Sequence, residues 1–251
     1  MEVIRIPVLQ DNYVWLIRSG EAVGVVDPPL REPVLDALAE RGWSLDWIIT
    51  THHHWDHTGA NLALKEATGC RVVGSGHDRD RIPGIDVELR DADRWSFGDD
   101  EAEVLFVPGH TRGHVAYYFA AAGRLFCGDT LFLGGCGRLF EGTPGQMWTS
   151  LSRIRDLPGD TWVHCAHEYT ASNLRFALTI EPENASLVAR AEEVRRLREV
   201  GEPTVPDRLA RELETNPFVR ADHPDVAAAV GLSPSQPAEV LGAVRALKDS
   251  F

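Results

Sequence analysis

The sequence predicts an α+β protein, with mixed strands and helices over residues 1–170 and a helical domain over 171–251. Three observations carry this. Short β-branched runs at 3–6, 13–17 and 22–26 are divided by polar or glycine-containing turns, the pattern of an opening meander. Strand-like runs recur at 47–49, 71–73, 104–107, 115–119, 124–127 and 162–165, interleaved with stretches of helical spacing. Beyond Ala171 the strand-like runs vanish and the chain reads as helices.

Each element has its own reason. Residues 31–41 place Val34, Leu35 and Leu38 on one helical face, and 58–68 also reads as a helix. Pro144, after Thr143, suits the first turn of a helix reaching about residue 155, because its fixed φ and missing N–H cost nothing there. Residues 185–200 form an Arg- and Glu-rich helix with Leu187, Val188, Ala191, Val194 and Leu197 on one side. Pro203 and Pro206 interrupt it, and a last helix is expected over 237–248 with Ser235 near its cap.

Composition narrows the function. A chain of 251 residues can bury a sizeable core, and a net charge of -13 argues against a general nucleic-acid binder. An anionic small substrate would need basic residues gathered locally. The opening MEVIRIPVLQDNY lacks the basic start and apolar core of a signal peptide, and no apolar stretch is long enough for a bilayer. A soluble, cytoplasmic protein with no membrane partner is therefore expected; a monomer is also expected, though neither composition nor motifs fix the oligomeric state. Cys70, Cys127, Cys136 and Cys165 form no CxxC pair and read as reduced, mostly buried thiols. Asn184 to Ser186 match a glycosylation acceptor, which has no meaning without secretion.

The chemistry is concentrated in Thr51-His52-His53-His54-Trp55-Asp56-His57, where strand 47–49 ends. Imidazole and carboxylate are the donors that zinc, iron and manganese accept, and so dense a run of them is costly without a cation. The opposing reading is a histidine-rich loop without a role. Spacing weakens it: His52 and His54 alternate as on an extended segment and so point the same way, while His53 points elsewhere as a support residue. No HExxH pair occurs.

Further donors should follow other strands. Strand 104–107 leads to His110, 124–127 to Asp129, and 162–165 to His167. With His52, His54, Asp56 and His57 they make seven donors, too many for one zinc and suited to two ions bridged by the two oxygens of Asp129. His114, in PGHTRGH, reads as a hydrogen-bond partner of the site, His164 as core, and His77 and His223 as lacking donor neighbours.

These residues resemble the metallo-β-lactamase superfamily, whose HxHxDH, isolated histidine, aspartate and last histidine all occur here in that order. Within it the chain is most similar to the glyoxalase II family, the hydroxyacylglutathione hydrolases. QDNYVWLI, THHHWDHTGAN, PGHTRGH, GDTLF, GCGRLFEGTP, HEYT, NPFVR and AVRALKDSF carry the resemblance over nearly the whole chain.

The resemblance implies a four-layer αββα sandwich with a C-terminal α-helical domain that binds substrate. It implies two divalent metal ions, zinc with iron or manganese as alternatives. His52, His54, His110 and Asp129 would hold one and Asp56, His57, Asp129 and His167 the other. Glutathione-binding positions fall on Arg138, Phe140, Tyr169, Arg245 and Lys248. Phe140 departs from the tyrosine often found in the family, and Arg138 stands where lysine is also common. Arg245 and Lys248 share one helix face, a spacing that by itself favours an exposed solvated surface.

The implied activity is hydrolysis of an S-(2-hydroxyacyl)glutathione, a glutathione thioester, by a metal-bridging hydroxide oriented by Asp56, in methylglyoxal detoxification. No GxSxG nucleophile elbow occurs, so a serine thioesterase route is disfavoured. The nearest competitor is a glutathione persulfide dioxygenase-like iron enzyme on the same fold, against which the helical segment ending in Arg245 and Lys248 argues. Lactonase and β-lactamase-like hydrolases, and a binding protein that inherited the fold, are weaker rivals.

Overall fold

The computed structural model describes residues 1–251. The chain forms two compact units, one of Met1–Phe106 with Gly113–Gly128, the other of Val107–Arg112 with Asp129–Phe251.

In the first unit, β1 (Glu2–Val8), β2 (Asn12–Ser19) and β3 (Ala22–Val26) form the expected antiparallel meander. α1 (Glu32–Arg41) then crosses over. It starts with a proline in its first turn and stops at Gly42, whose left-handed φ of 65° ends the helix. The crossover lets β4 (Trp47–Ile49) add parallel to β3, followed by β5 (Arg71–Ser75) and β6 (Ile85–Leu89), giving a six-stranded mixed sheet in chain order. Val14, Leu16, Val25, Ile48, Val72 and Leu64 are sealed in one apolar core with α1. A second, antiparallel ribbon of β7 (Arg94–Phe97), β8 (Asp100–Phe106), β9 (Val115–Phe119) and β10 (Arg124–Gly128) faces it, with Trp47 and Trp95 packed edge to face at 5.2 Å.

The helix expected over 58–68 is two pieces, α2 (Trp55–Thr58) and α3 (Asn61–Thr68). The break has a cause: Ala60 N donates to Pro28 O at 3.0 Å, and a Cβ on Gly59 would lie 2.8 Å from Pro29 O.

In the second unit, β11 (Leu131–Phe132) and β12 (Gly135–Cys136) form a small hairpin, and α4 (Pro144–Arg155) starts at a capping box between Thr143 and Gln146. β13 (Trp162–Cys165) precedes α5 (Thr170–Ile180) and α6 (Ala185–Glu199), which pack through Leu174, Ala177, Leu187 and Val194. Asn184, the glycosylation match, is the N-cap of α6 and accepts from Leu187 N at 3.1 Å. Then follow β14 (Asp207–Arg208), antiparallel to β13, and α7 (Leu209–Thr215), α8 (Pro224–Ala229) and α9 (Pro237–Asp249).

The strands β6, β7, β11, β12 and β14 and the helices α5, α7 and α8 were not expected from the sequence. β14 also corrects the expectation that strands end before Ala171. β6 and β7 alternate exposed charged or polar residues with shielded ones, so no apolar run marks them, and β14 is only two residues long. The cap of α9 is Gln236 rather than Ser235, whose hydroxyl instead meets Ser233 Oγ at 2.8 Å.

Candidate metal centre

Within the first unit the histidine run hangs from the end of β4. Tyr117 OH donates to Thr50 O at 2.9 Å, and Thr50 N to Val73 O at 2.9 Å, which fixes where the run begins. Gly128, at φ 48°, passes so close that a Cβ there would lie 2.3 Å from Thr51 Oγ1. The extended backbone turns His52 and His54 the same way, with His52 Nε2 and His54 Nδ1 3.1 Å apart. His53 turns to Asp78 Oδ2 at 3.0 Å and to Arg81. His114 lies ring to ring on His52 at 4.6 Å, which supports that imidazole by stacking.

Asp27 organises the run. Its Oδ1 accepts from Thr51 N at 2.8 Å, and its Oδ2 from Thr51 Oγ1 at 2.6 Å and His57 Nδ1 at 3.1 Å. Since the one hydroxyl proton of Thr51 goes to Asp27, Thr51 Oγ1 accepts from His52 Nδ1 at 3.1 Å. Both buried rings thus carry their proton on Nδ1 and keep the Nε2 lone pair for an ion, the arrangement that outer carboxylates impose on ligating histidines. Asp27 itself sits at φ 52°, a strained value for a residue other than glycine. Asp56 lies on the first turn of α2, its Oδ2 3.4 Å from His57 Nε2 and accepting from Asn12 Nδ2 at 3.1 Å.

The second unit carries the other donors. Ser150 Oγ donates to Pro108 O at 2.7 Å and Gly142 N to Gly109 O at 3.0 Å, pinning the segment before His110. His110 Nδ1 donates to Arg138 O at 2.8 Å, so its Nε2 faces Asp129 Oδ2, 3.4 Å away. His167 Nε2 lies 3.4 Å from the other oxygen, Oδ1. One carboxylate therefore stands between two imidazoles. A Cβ on Gly137 would be 2.0 Å from Asp129 O, so only glycine passes there.

The donors fit a divalent ion. Two ligand atoms held at about 2.1 Å in tetrahedral geometry are about 3.4 Å apart. The pairs His57–Asp56, His110–Asp129 and His167–Asp129 stand at 3.4 Å, and His52–His54 at 3.1 Å. Carboxylate and imidazole do not by themselves choose among zinc, iron and manganese.

The residues expected to bind substrate all belong to the second unit. Tyr169 stacks flat on His167 at 4.8 Å, and Phe140, exposed, sets its ring edge-on to His110 at 5.2 Å. Arg138 reaches Asp249 Oδ1 at 3.2 Å. Arg245 is only 7 % exposed and donates to Cys136 O at 3.0 Å. Lys248 Nζ donates to Ser172 O at 3.3 Å on α5 and lies over the rings of Phe176 and Phe251. Spacing had favoured a solvated face for this pair, and packing of α9 against α5 and the β12 loop overrides it. Burial, with Arg245 and Arg175 nearby, lowers the Lys248 ammonium to about 8.

Sequence reasoning assigned no role to Asn12 and Asp27. A signal for Asp27 existed, since it directly follows β3 just as His110, Asp129 and His167 follow their strands. His164 is buried, as expected of a core residue. His223 does have donor neighbours, Glu181 and Asp225, with Asp225 Oδ2 3.7 Å from its Nδ1. Its side chain caps α8, and Arg220 pairs with Glu181 at 2.8 Å, so the cluster is already balanced.

Known proteins resemble the chain along its length. Residues 9–167 match the profile of the metallo-β-lactamase superfamily, and residues 168–251 that of the hydroxyacylglutathione hydrolase C-terminus. A hydroxyacylglutathione hydrolase from Methylococcus capsulatus is 54% identical over 253 residues, covering 100% of this chain and 99% of that protein. Among solved structures, ETHE1 from Myxococcus xanthus aligns with a TM-score of 0.69 at 26% identity, over 96% of this chain and 90% of that one. TTHA1623 in a di-iron-bound form aligns with a TM-score of 0.63 at 27% identity, over 87% of this chain and 100% of that one. The chain is an α+β hydrolase of the metallo-β-lactamase fold and belongs to the hydroxyacylglutathione hydrolase family. No helix is long and apolar enough to cross a membrane.

Proposed function

We propose that the protein hydrolyses S-(2-hydroxyacyl)glutathione thioesters, turning S-D-lactoylglutathione into D-lactate and glutathione in methylglyoxal detoxification. Full-length similarity to relatives of that name carries the reading, and the basic residues on α9 and the β12 loop agree with a glutathione ligand. The dioxygenase alternative is not favoured, because relatives at half identity over the whole chain bear the hydrolase name.

His52, His54, His110 and Asp129 would hold one ion, and Asp56, His57, Asp129 and His167 the other, zinc being the expected metal in both places. When bound, such ions lower the pKa of water toward about 7 and polarise the thioester carbonyl. The chain supplies orientation. Asn12 fixes the carboxylate of Asp56, Asp27 fixes the proton of His57 on Nδ1, and the Arg138 carbonyl does the same for His110. Tyr169 and Phe140 would offer apolar walls beside the donors, while Arg138, Arg245 and Lys248 take the carboxylates of glutathione. The departing thiolate, with a free-thiol pKa near 8.5, needs little help from an acid.

In this reading residues 1–170 perform the chemistry, residues 171–251 hold the substrate together with Arg138, Phe140 and Tyr169, and the protein is a cytoplasmic monomer. The test is a hydrolysis assay with S-D-lactoylglutathione beside metal analysis of the same preparation. Turnover at two ions per chain is expected, and none with both sites filled would overturn the substrate assignment.

A further inference from the structure

The last residue of α9 is an acid where helix physics disfavours one. Asp249 stands among carbonyls that carry a partial negative charge, four residues after Arg245, the weaker order for such a pair. What holds it there is cationic. Its Oδ1 accepts from Arg138 Nε at 3.2 Å, and from Arg245 Nε at 3.2 Å and Nη2 at 3.0 Å. Two guanidiniums from distant parts of the chain thus converge on one carboxylate oxygen, and Arg245 is held from its other side by Cys136 O. The Asp249 side chain is 38% exposed, so it can swing away without opening the core.

We propose that Asp249 is a specificity-determining residue, an internal counter-ion that occupies the place of a substrate carboxylate between Arg138 and Arg245. This rests on the glutathione reading of those arginines. Left open, the pair would form a site for any small anion. With Asp249 in place, an incoming anion must displace a carboxylate already tethered to the helix. A simple anion brings nothing to offset that loss, whereas a peptide-like thiol carries a second carboxylate and an apolar body that find further contacts.

The test is Asp249→Asn, which keeps the shape and removes the charge at an exposed helix end. S-methylglutathione titrated calorimetrically should bind roughly three- to fivefold more tightly, the scale of one partly exposed ion pair. KM for S-D-lactoylglutathione should fall accordingly, and inorganic phosphate should inhibit the variant at concentrations that wild type tolerates. Adding Arg138→Ala should cancel most of the gain, because the two residues are coupled. Unchanged or weaker binding in Asp249→Asn overturns the inference. Wild type that neither binds S-methylglutathione nor hydrolyses the thioester would instead refute the glutathione reading, and this inference with it.

Discussion

The histidine run and the end of α9 gather polar groups in opposite ways. From Thr51 to His57 the donors are consecutive, and two buried imidazoles are oriented through one carboxylate, Asp27. Around α9 the groups come from residues 138, 245 and 249, joined by bonds across more than a hundred positions, such as Arg245 to Cys136 and Arg138 to Asp249. The first arrangement fixes the direction of nitrogen lone pairs, as an ion requires. The second sets an exposed Arg138 and a buried Arg245 against a partly exposed carboxylate that another anion can replace. Precision is built locally and buried, while adaptability is assembled from afar and left near solvent.

The largest effect should come from the run itself. Asp56→Ala should lower turnover of S-D-lactoylglutathione by at least about a hundredfold, beyond what outer-sphere changes cost. Unchanged turnover at full metal occupancy would sink the role given to Asp56. Next comes the organiser: Asp27→Asn should weaken metal affinity by roughly tenfold to a hundredfold, read by competition with a chelator. If affinity holds, the orientation of His57 and His52 does not depend on Asp27.

The α9 region should answer to pH instead. Lys248 ionises at about 8, below its usual 10.5. Its charge, and with it affinity for S-methylglutathione, should decline as pH rises through 8. Stability moves the other way. Between about 8 and 10.5 the unfolded chain holds more protons than the folded one, so this group makes the fold steadier as pH rises. Affinity that stays flat from pH 7 to 9 would remove Lys248 from the binding surface. The smallest effect should be Phe140→Tyr, which restores one hydroxyl and should lower KM by roughly threefold, the scale of one hydrogen bond.

The same contrast explains what the sequence disclosed. Strands with apolar runs of aromatic and β-branched residues, such as β2 and β9, and helices with proline starts, such as α4 and α9, were legible because each signal is local. The seven donors were legible because they sit together or just past strand ends. β6 did carry a signal, the alternation of Ile85, Val87 and Leu89 with Asp86 and Glu88, but no continuous apolar run, and the break between α2 and α3 was hidden because it is set by a carbonyl at Pro28 that meets Ala60. The burial of Arg245 was hidden as well, since a helical repeat shows which residues share a face but not what packs against it. Asp249 is the extreme case: read along its helix it is an unfavourable terminal acid, and only the arrival of Arg138 explains it.

The sealed cysteines acquire a meaning from the proposed reaction. Burial raises the Cys136 thiol to about 11 and the Cys165 thiol to about 12, and all four cysteines are buried and outside any disulfide. At neutral pH both therefore stay in the thiol form and not in the thiolate form that mixed-disulfide formation requires. A catalyst that liberates a thiol at every turnover works where thiols and their oxidised partners are abundant. Cys136 even sits in the hairpin whose carbonyl steadies Arg245, so exchange of its thiolate with the disulfide form of glutathione, which would release reduced glutathione, would disturb the substrate surface. Keeping that sulfur protonated and out of reach lets the protein live beside the nucleophile it releases.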